Sequence, residues 1–240
     1  MNSPKLLALA ILLAAIAFAL SPLVVTEFDG FSTTRFPVPQ DNPPVQPSGY
    51  AFSIWGVIFV WLVVSAAHGL WRAPDDEDWT AMRKPLLVSL GIGVFWLAAA
   101  NASPVLATAM IAVMAATAIA AMLRARDGDT WLKTRPVALY AGWLTAATGV
   151  GTGVILGGYG ILSSQAAAIL CLSAVLIVGL LVQSARPREW GYPAAIVWAL
   201  AGVIVANAPG PNWPVLALAA IGIAALSLRA IRAAAGVQGR

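Results

Sequence analysis

Residues Asn42–Trp61 read NPPVQPSGYAFSIWGVIFVW. Pro43, Pro44 and Pro47 each fix φ and remove a backbone donor, which keeps the first half of the stretch out of a helix. From Tyr50 onward it turns apolar and rich in rings, with Tyr50, Phe52, Trp55, Phe59 and Trp61. A stiff polar segment running straight into an aromatic apolar helix is the pattern of a helix entering a bilayer, where Trp and Tyr gather at the interface.

The rest of the chain agrees. Of 240 residues, 60% are hydrophobic and 10% charged, against about a quarter charged in an ordinary soluble domain. A run of about 18 or more apolar residues is long enough to cross the roughly 30 Å hydrocarbon core as a helix. Such runs lie near residues 5–25, 50–72, 84–101, 104–123, 136–156, 164–184, 191–208 and 214–232. They are continuously apolar rather than alternating, which excludes a membrane β-barrel. The expected fold class is therefore an all-α polytopic membrane protein with eight transmembrane helices.

Basic residues test this parse, because Lys and Arg concentrate on the cytoplasmic side. With both termini cytoplasmic, the inner set is Lys5, Arg72, Arg83, Lys84, Arg124, Arg126, Lys133, Arg135, Arg186, Arg188, Arg229, Arg232 and Arg240, leaving only Arg35 of the 14 outside. Missing or adding one helix would scatter that sorting. The net charge of +4 is then a topology signal, and no basic cluster beyond the loops points to nucleic acid. The expected location is the inner cell membrane, with lipid as the surrounding partner. Lys5 and Ala17-Phe18-Ala19 could also be read as a signal peptide, whose cleavage would leave seven helices in the same orientation. The first apolar run is longer than a usual signal core, which favours a retained helix. The single Cys171 excludes a disulfide within the chain.

One outer connection, Thr26–Gly49, is long and rich in Pro, Asp, Asn and Gln, while the others are short; a long loop among short ones is a candidate lid. Inside, Ala73–Trp79 is an acidic segment expected as a solvated loop or a short interfacial helix with Trp79 at headgroup depth, and Trp71, Trp131 and Trp190 fit the same anchoring. Gly149, Gly153 and Gly157 form a small-residue face that suits packing inside the bundle or, as the alternative, a homodimer.

Away from their ends the apolar runs carry no Asp, Glu, Lys or Arg, which argues against proton relays and ion-coupled pumping. A Schiff-base lysine for retinal is also lacking in the last helices. His68 is the only histidine, with no Cys, Asp or Glu beside it in the helix, so neither a metal site nor a Ser-His-Asp triad is expected. Asn101 and Asn207 stand out, because both lie at outer helix ends, level with the aromatic mouth.

Three motifs carry a family resemblance. Pro47-Ser-Gly-Tyr-Ala-Phe-Ser-Ile-Trp55 resembles the start of the second helix of the translocator protein family (TspO, peripheral benzodiazepine receptor, tryptophan-rich sensory protein), with its proline-rich loop and a Trp eight residues beyond the last proline. Trp143-Leu-Thr-Ala-Ala147-Thr148 is similar to the Trp and following Ala-Thr of that family's last helix. Asn101 is similar to the Asn ending its third helix. The chain departs from the pattern where Pro104 replaces a Trp, Gly151 replaces an Asn, and Phe52 stands three rather than four residues before Trp55. The resemblance covers residues 1–156 as a five-helix core, with residues 157–240 as three additional helices, as in the longer branch of the family.

The resemblance implies an outward-opening aromatic pocket that binds a porphyrin or similar flat apolar ligand. Trp55 and Trp143 would be its walls, Phe52 and Tyr50 its rim, Asn101 a hydrogen-bond donor, Thr148 a further lining residue and the Pro43-Pro44 loop its cover. The expected function is binding or sensing, without cofactor or catalysis. The alternatives are transport of a small amphipathic substrate, or light- and oxygen-dependent porphyrin degradation, for which the Trp replaced by Pro104 is missing.

Overall fold

The computed structural model describes residues 3–25, 35–125 and 130–238. Arg126, Arg240 and the Thr26–Thr34 part of the long connection lie outside the described residues. Among the described residues eight α-helices follow in order: α1 Ser3–Val24, α2 Ile54–Arg72, α3 Glu77–Ala102, α4 Pro104–Arg124, α5 Arg135–Gly158, α6 Ser164–Ala185, α7 Gly191–Asn207 and α8 Trp213–Gln238. A 3₁₀ turn, Gly49–Ser53, leads into α2, and a π-helical turn, Thr130–Thr134, leads into α5. No strand occurs among the described residues.

Seven of these segments are long and apolar enough to cross a membrane. The remaining helix, α7, has 17 residues and reaches about 25 Å at about 1.5 Å per residue, the short end of the spanning range. The chain is an all-α, multi-pass membrane protein, as the apolar runs anticipate.

By contacts the chain forms two compact units, residues 1–28 with 53–144, and residues 29–52 with 145–240, so that α5 is divided between them after Leu144. In the first unit α1 packs on α2 and α3, and α3 on α4. In the second, α7 packs on α8, and α6 on both.

The turn between α3 and α4 is a single residue, and its side chain makes that possible. Ser103 donates its backbone N–H to the Ala99 carbonyl at 2.7 Å, while its Oγ accepts from the Leu106 N–H at 3.2 Å. Pro104 then opens α4 at the position where a missing N–H costs nothing. The sequence places both helix ends correctly here.

At the opposite end of α3 the structure corrects the sequence reading. The helix begins at Glu77 rather than near residue 84, because the Asp76 carboxylate accepts from the N–H groups of Asp78 and Trp79 at 2.9 and 3.0 Å. Trp79 is covered by protein rather than exposed as an anchor. Its ring is buried over Gly69, where a Cβ would stand 2.5 Å from the ring, and it carries the Arg83 guanidinium 5.5 Å from its centroid.

Arg83 is 2% exposed, so a basic residue does lie inside a spanning segment. Its guanidinium donates to the carbonyls of Gly69, Ala73 and Pro74 at 2.7, 2.8 and 2.8 Å. These belong to the last turn of α2 and the residues just beyond it, where the helix dipole is negative and carbonyls lack helical partners. Arg83 therefore serves as a side-chain cap for α2 supplied by α3. Replacing Arg83 with Ala should strand those carbonyls and lower stability by about 3 kcal/mol, read as a fall in melting temperature in detergent. An unchanged melting temperature would refute the cap.

Candidate functional site

The first unit holds a cluster of rings from three helices. Phe18 of α1 lies 5.7 Å from Trp55 and 5.0 Å from Phe59, both in edge contact. Trp55 and Phe59 are one turn apart on α2 and stack at 5.1 Å with 21° between planes, as side chains four residues apart on a helix can. From α5, Tyr140 and Trp143 approach Trp55 at 6.4 and 6.2 Å, Trp143 edge-on at 88°. All these separations fall within the favourable range for aromatic pairs.

Two local features hold the cluster. Gly93 of α3 admits the Phe18 ring, since a Cβ there would stand 2.9 Å from it. Ser89 donates its hydroxyl to the Met114 carbonyl at 2.9 Å, so its oxygen accepts from the Tyr140 hydroxyl at 3.0 Å. The phenol, out of reach of water, is thereby fixed and satisfied.

Of the six residues singled out in the sequence, the structure brings Trp55 and Trp143 into contact. Trp143 is 2% exposed and Trp55 is half-buried, so Trp55 offers the accessible face. Asn101 stands half-buried at the end of α3. Tyr50, Phe52 and Thr148 belong to the second unit. Tyr50 and Phe52 are both 44% exposed, and Tyr50 meets Trp198 of α7 edge-on at 5.6 Å. Thr148 is half-buried, and its carbonyl accepts from the Thr152 hydroxyl at 2.7 Å. Phe18, Phe59 and Tyr140 are cluster members that sequence reasoning did not assign. Tyr140, three residues before Trp143 and so on the same helix face, carried a signal; Phe18 carried none beyond its ring.

The rings fill the space between themselves. At 6.2 Å in edge contact, Trp55 and Trp143 leave no slot for a flat molecule, so a ligand at this place must open that contact. Among the described residues no group of three or more His, Cys, Asp or Glu side chains is placed to hold a metal.

The second unit shows what becomes of the long connection. Its described part is tied down along α5, α6 and α7. Phe36 packs on Gly158, Val45 on Gly153, and Pro47 with Ala51 on Gly202, each glycine having no room for a side chain without movement. Val38 N–H donates to the Gly158 carbonyl at 2.9 Å and Ser48 N–H to that of Gly202 at 3.0 Å. Asn207 donates to the Pro44 carbonyl at 2.9 Å, Trp198 Nε1 to that of Ala51 at 2.8 Å, and Ser164 to Gln40 Oε1 at 3.2 Å. The connection is a strap docked in glycine cradles. Of the other two members of the glycine face, Gly157 lies against Gln40 of the strap and Ser164 of α6, and Gly149 receives Val175 of α6, so within the second unit that face serves packing inside the bundle.

A family model described as TSPO-like protein matches residues 5–232 of the chain. No curated protein and no solved structure gives a significant match.

Placing a side chain in one cradle should release the strap. A Cβ at Gly202 would stand 2.8 Å from Pro47 and 2.9 Å from Ala51, so Gly202→Leu is expected to raise hydrogen exchange of the amides from Val45 to Ala51 by at least tenfold, on the order of 1.4 kcal/mol of lost local protection. Unchanged exchange would show that the strap is held elsewhere.

Proposed function

The chain belongs to the TSPO-like protein family, and on that premise we propose that it is an integral membrane binding or sensory protein for a tetrapyrrole or a similar flat apolar ligand. The observation that supports this reading is the five-ring cluster of Phe18, Trp55, Phe59, Tyr140 and Trp143, gathered from α1, α2 and α5. A conjugated macrocycle gains by stacking on such faces, and few other apolar molecules would use so many rings. The ligand enters at the accessible face of Trp55, separates it from Trp143 and replaces one ring contact by two. Asn101 is proposed as a polar group that orients the ligand; Tyr50, Phe52 and Thr148, which the resemblance also implies, belong to the second unit and are tested as single substitutions in the same titration.

The protein works in this reading without a cofactor or catalysis of its own, in the inner cell membrane with both termini cytoplasmic. Residues 1–156 are proposed as the ligand-binding core, and residues 157–240 as three additional helices, of which α6 and α7 join α5 in seating the strap.

A protoporphyrin titration in detergent, followed by tryptophan fluorescence, tests the proposal. Saturable quenching is expected in the wild type, with affinity weakened about twofold to tenfold in Trp55→Leu and unchanged in Trp213→Leu, an exposed position. Linear, nonsaturating quenching in the wild type, or equal effects of the two variants, would overturn it. Saturable binding without flux into vesicles and without bleaching of the bound porphyrin separates sensing from transport and degradation.

A further inference from the structure

We propose that Ser21 is a positioning residue for the ring cluster, acting through Phe18, an inference that rests on the reading of that cluster as the ligand site. Pro22 lies inside α1, and a proline within a helix has no N–H to give the carbonyl four residues before it. That carbonyl belongs to Phe18. The Ser21 hydroxyl donates to it at 2.8 Å, and Ser21 is 6% exposed, so the bond is shut away from its surroundings. The helix runs on past the proline, with the Val25 N–H donating to the Ser21 carbonyl at 3.0 Å. Pro22 is therefore an interruption within α1, answered by a neighbouring side chain, as Ser and Thr answer proline breaks in spanning helices.

The residue served in this way carries a ring that meets three others of the cluster. Phe18 is 3% exposed and lies 5.7 Å from Trp55, 5.0 Å from Phe59 and 6.0 Å from Tyr140. Gly93 receives the ring from the α3 side, while Ser21 holds the backbone behind it. The flanking turn of α1 adds little, since Leu20, Leu23 and Val24 are all exposed. Ser21 is thus the tie between the loosely packed end of α1 and the cluster. A hydroxyl turns about its own bond, so this tie is adjustable where a ladder N–H is not. A ligand that parts Trp55 from Trp143 displaces a ring that Phe18 touches, and the Ser21 bond sets how firmly Phe18 stays in place.

The full chain, labelled with 5-fluorotryptophan and held in detergent, reports the surroundings of Trp55 by fluorine NMR before any ligand is added. Ser21→Ala should displace the Trp55 resonance and leave that of Trp213, an exposed position, where it is. Ser21→Thr keeps the hydroxyl and should keep the wild-type resonance. Ser21→Ala combined with Pro22→Ala should also restore it, because the backbone N–H at position 22 then serves the Phe18 carbonyl directly. Should Ser21→Ala fail to fold, Ser21→Cys, whose thiol is a weak donor, carries the same comparison. In a protoporphyrin titration Ser21→Ala should weaken saturable binding about threefold to tenfold, the worth of one hydrogen bond, with both rescuing variants near wild type. An unmoved Trp55 resonance in Ser21→Ala, a double variant that fails to restore it, or an unchanged affinity beside a moved resonance overturns the proposal. Absence of saturable binding in the wild type overturns the proposed function instead, and the ligand-free spectra still decide whether Ser21 positions Phe18 against Trp55.

Discussion

The hydrocarbon core offers no water to a backbone N–H or carbonyl, so every departure from helix must be answered by the protein itself. That constraint organises this molecule. Where α2 ends, Arg83 comes from α3 to hold its carbonyls. Where α3 and α4 meet, Ser103 serves both helices at once. The strap before α2 is seated where Asn207, Trp198 and the Gly202 and Gly158 carbonyls complete its hydrogen bonds. Glycines matter for the same reason: only a helix face without side chains lets another segment come close enough to be bonded.

The ring cluster answers a different demand. In a bilayer, helices gain little from the hydrophobic effect and associate through close packing and placed polar contacts. Five rings meshed edge to face, with Tyr140 bonded to Ser89 and Phe18 set on Gly93, hold three helices together without an empty cavity between Trp55 and Trp143. Under the proposed function, those packing contacts are also the contacts a flat ligand exchanges for its own. Selectivity then follows from geometry, because a molecule that stacks on both sides replaces what the rings lose, and a bulky or flexible one does not.

The helix count and most boundaries were legible in the sequence because continuous apolar runs report bilayer thickness directly. The start of α3 was not. Asp75-Asp76-Glu77-Asp78 looks like a solvated loop until Asp76 is seen to cap the helix, and Trp79 looks like an interface anchor until Gly69 is seen to receive it. The burial of Trp79 depends on a partner helix that local composition does not announce, whereas the Asp76 cap is local and is hidden only by the run of acids around it. Trp55 and Trp143 could be singled out from their motifs, whereas Phe18 joins them only through packing with distant helices. The glycine face of α5 was legible as a close-packing surface, but its spacing does not say that Val45 of the strap, rather than another helix, would occupy Gly153.

Tryptophans are both the proposed site and its control, since Trp55 and Trp143 lie in the ring cluster while Trp71 and Trp213 are exposed. Labelling the chain with 5-fluorotryptophan and recording fluorine NMR spectra during protoporphyrin addition reports each position separately, once single substitutions have assigned the resonances. Ligand binding in the cluster predicts ring-current shifts at Trp55 and Trp143 that saturate together, with Trp71 and Trp213 unmoved. Shifts confined to the exposed tryptophans would mean adsorption at the surface and would contradict the account.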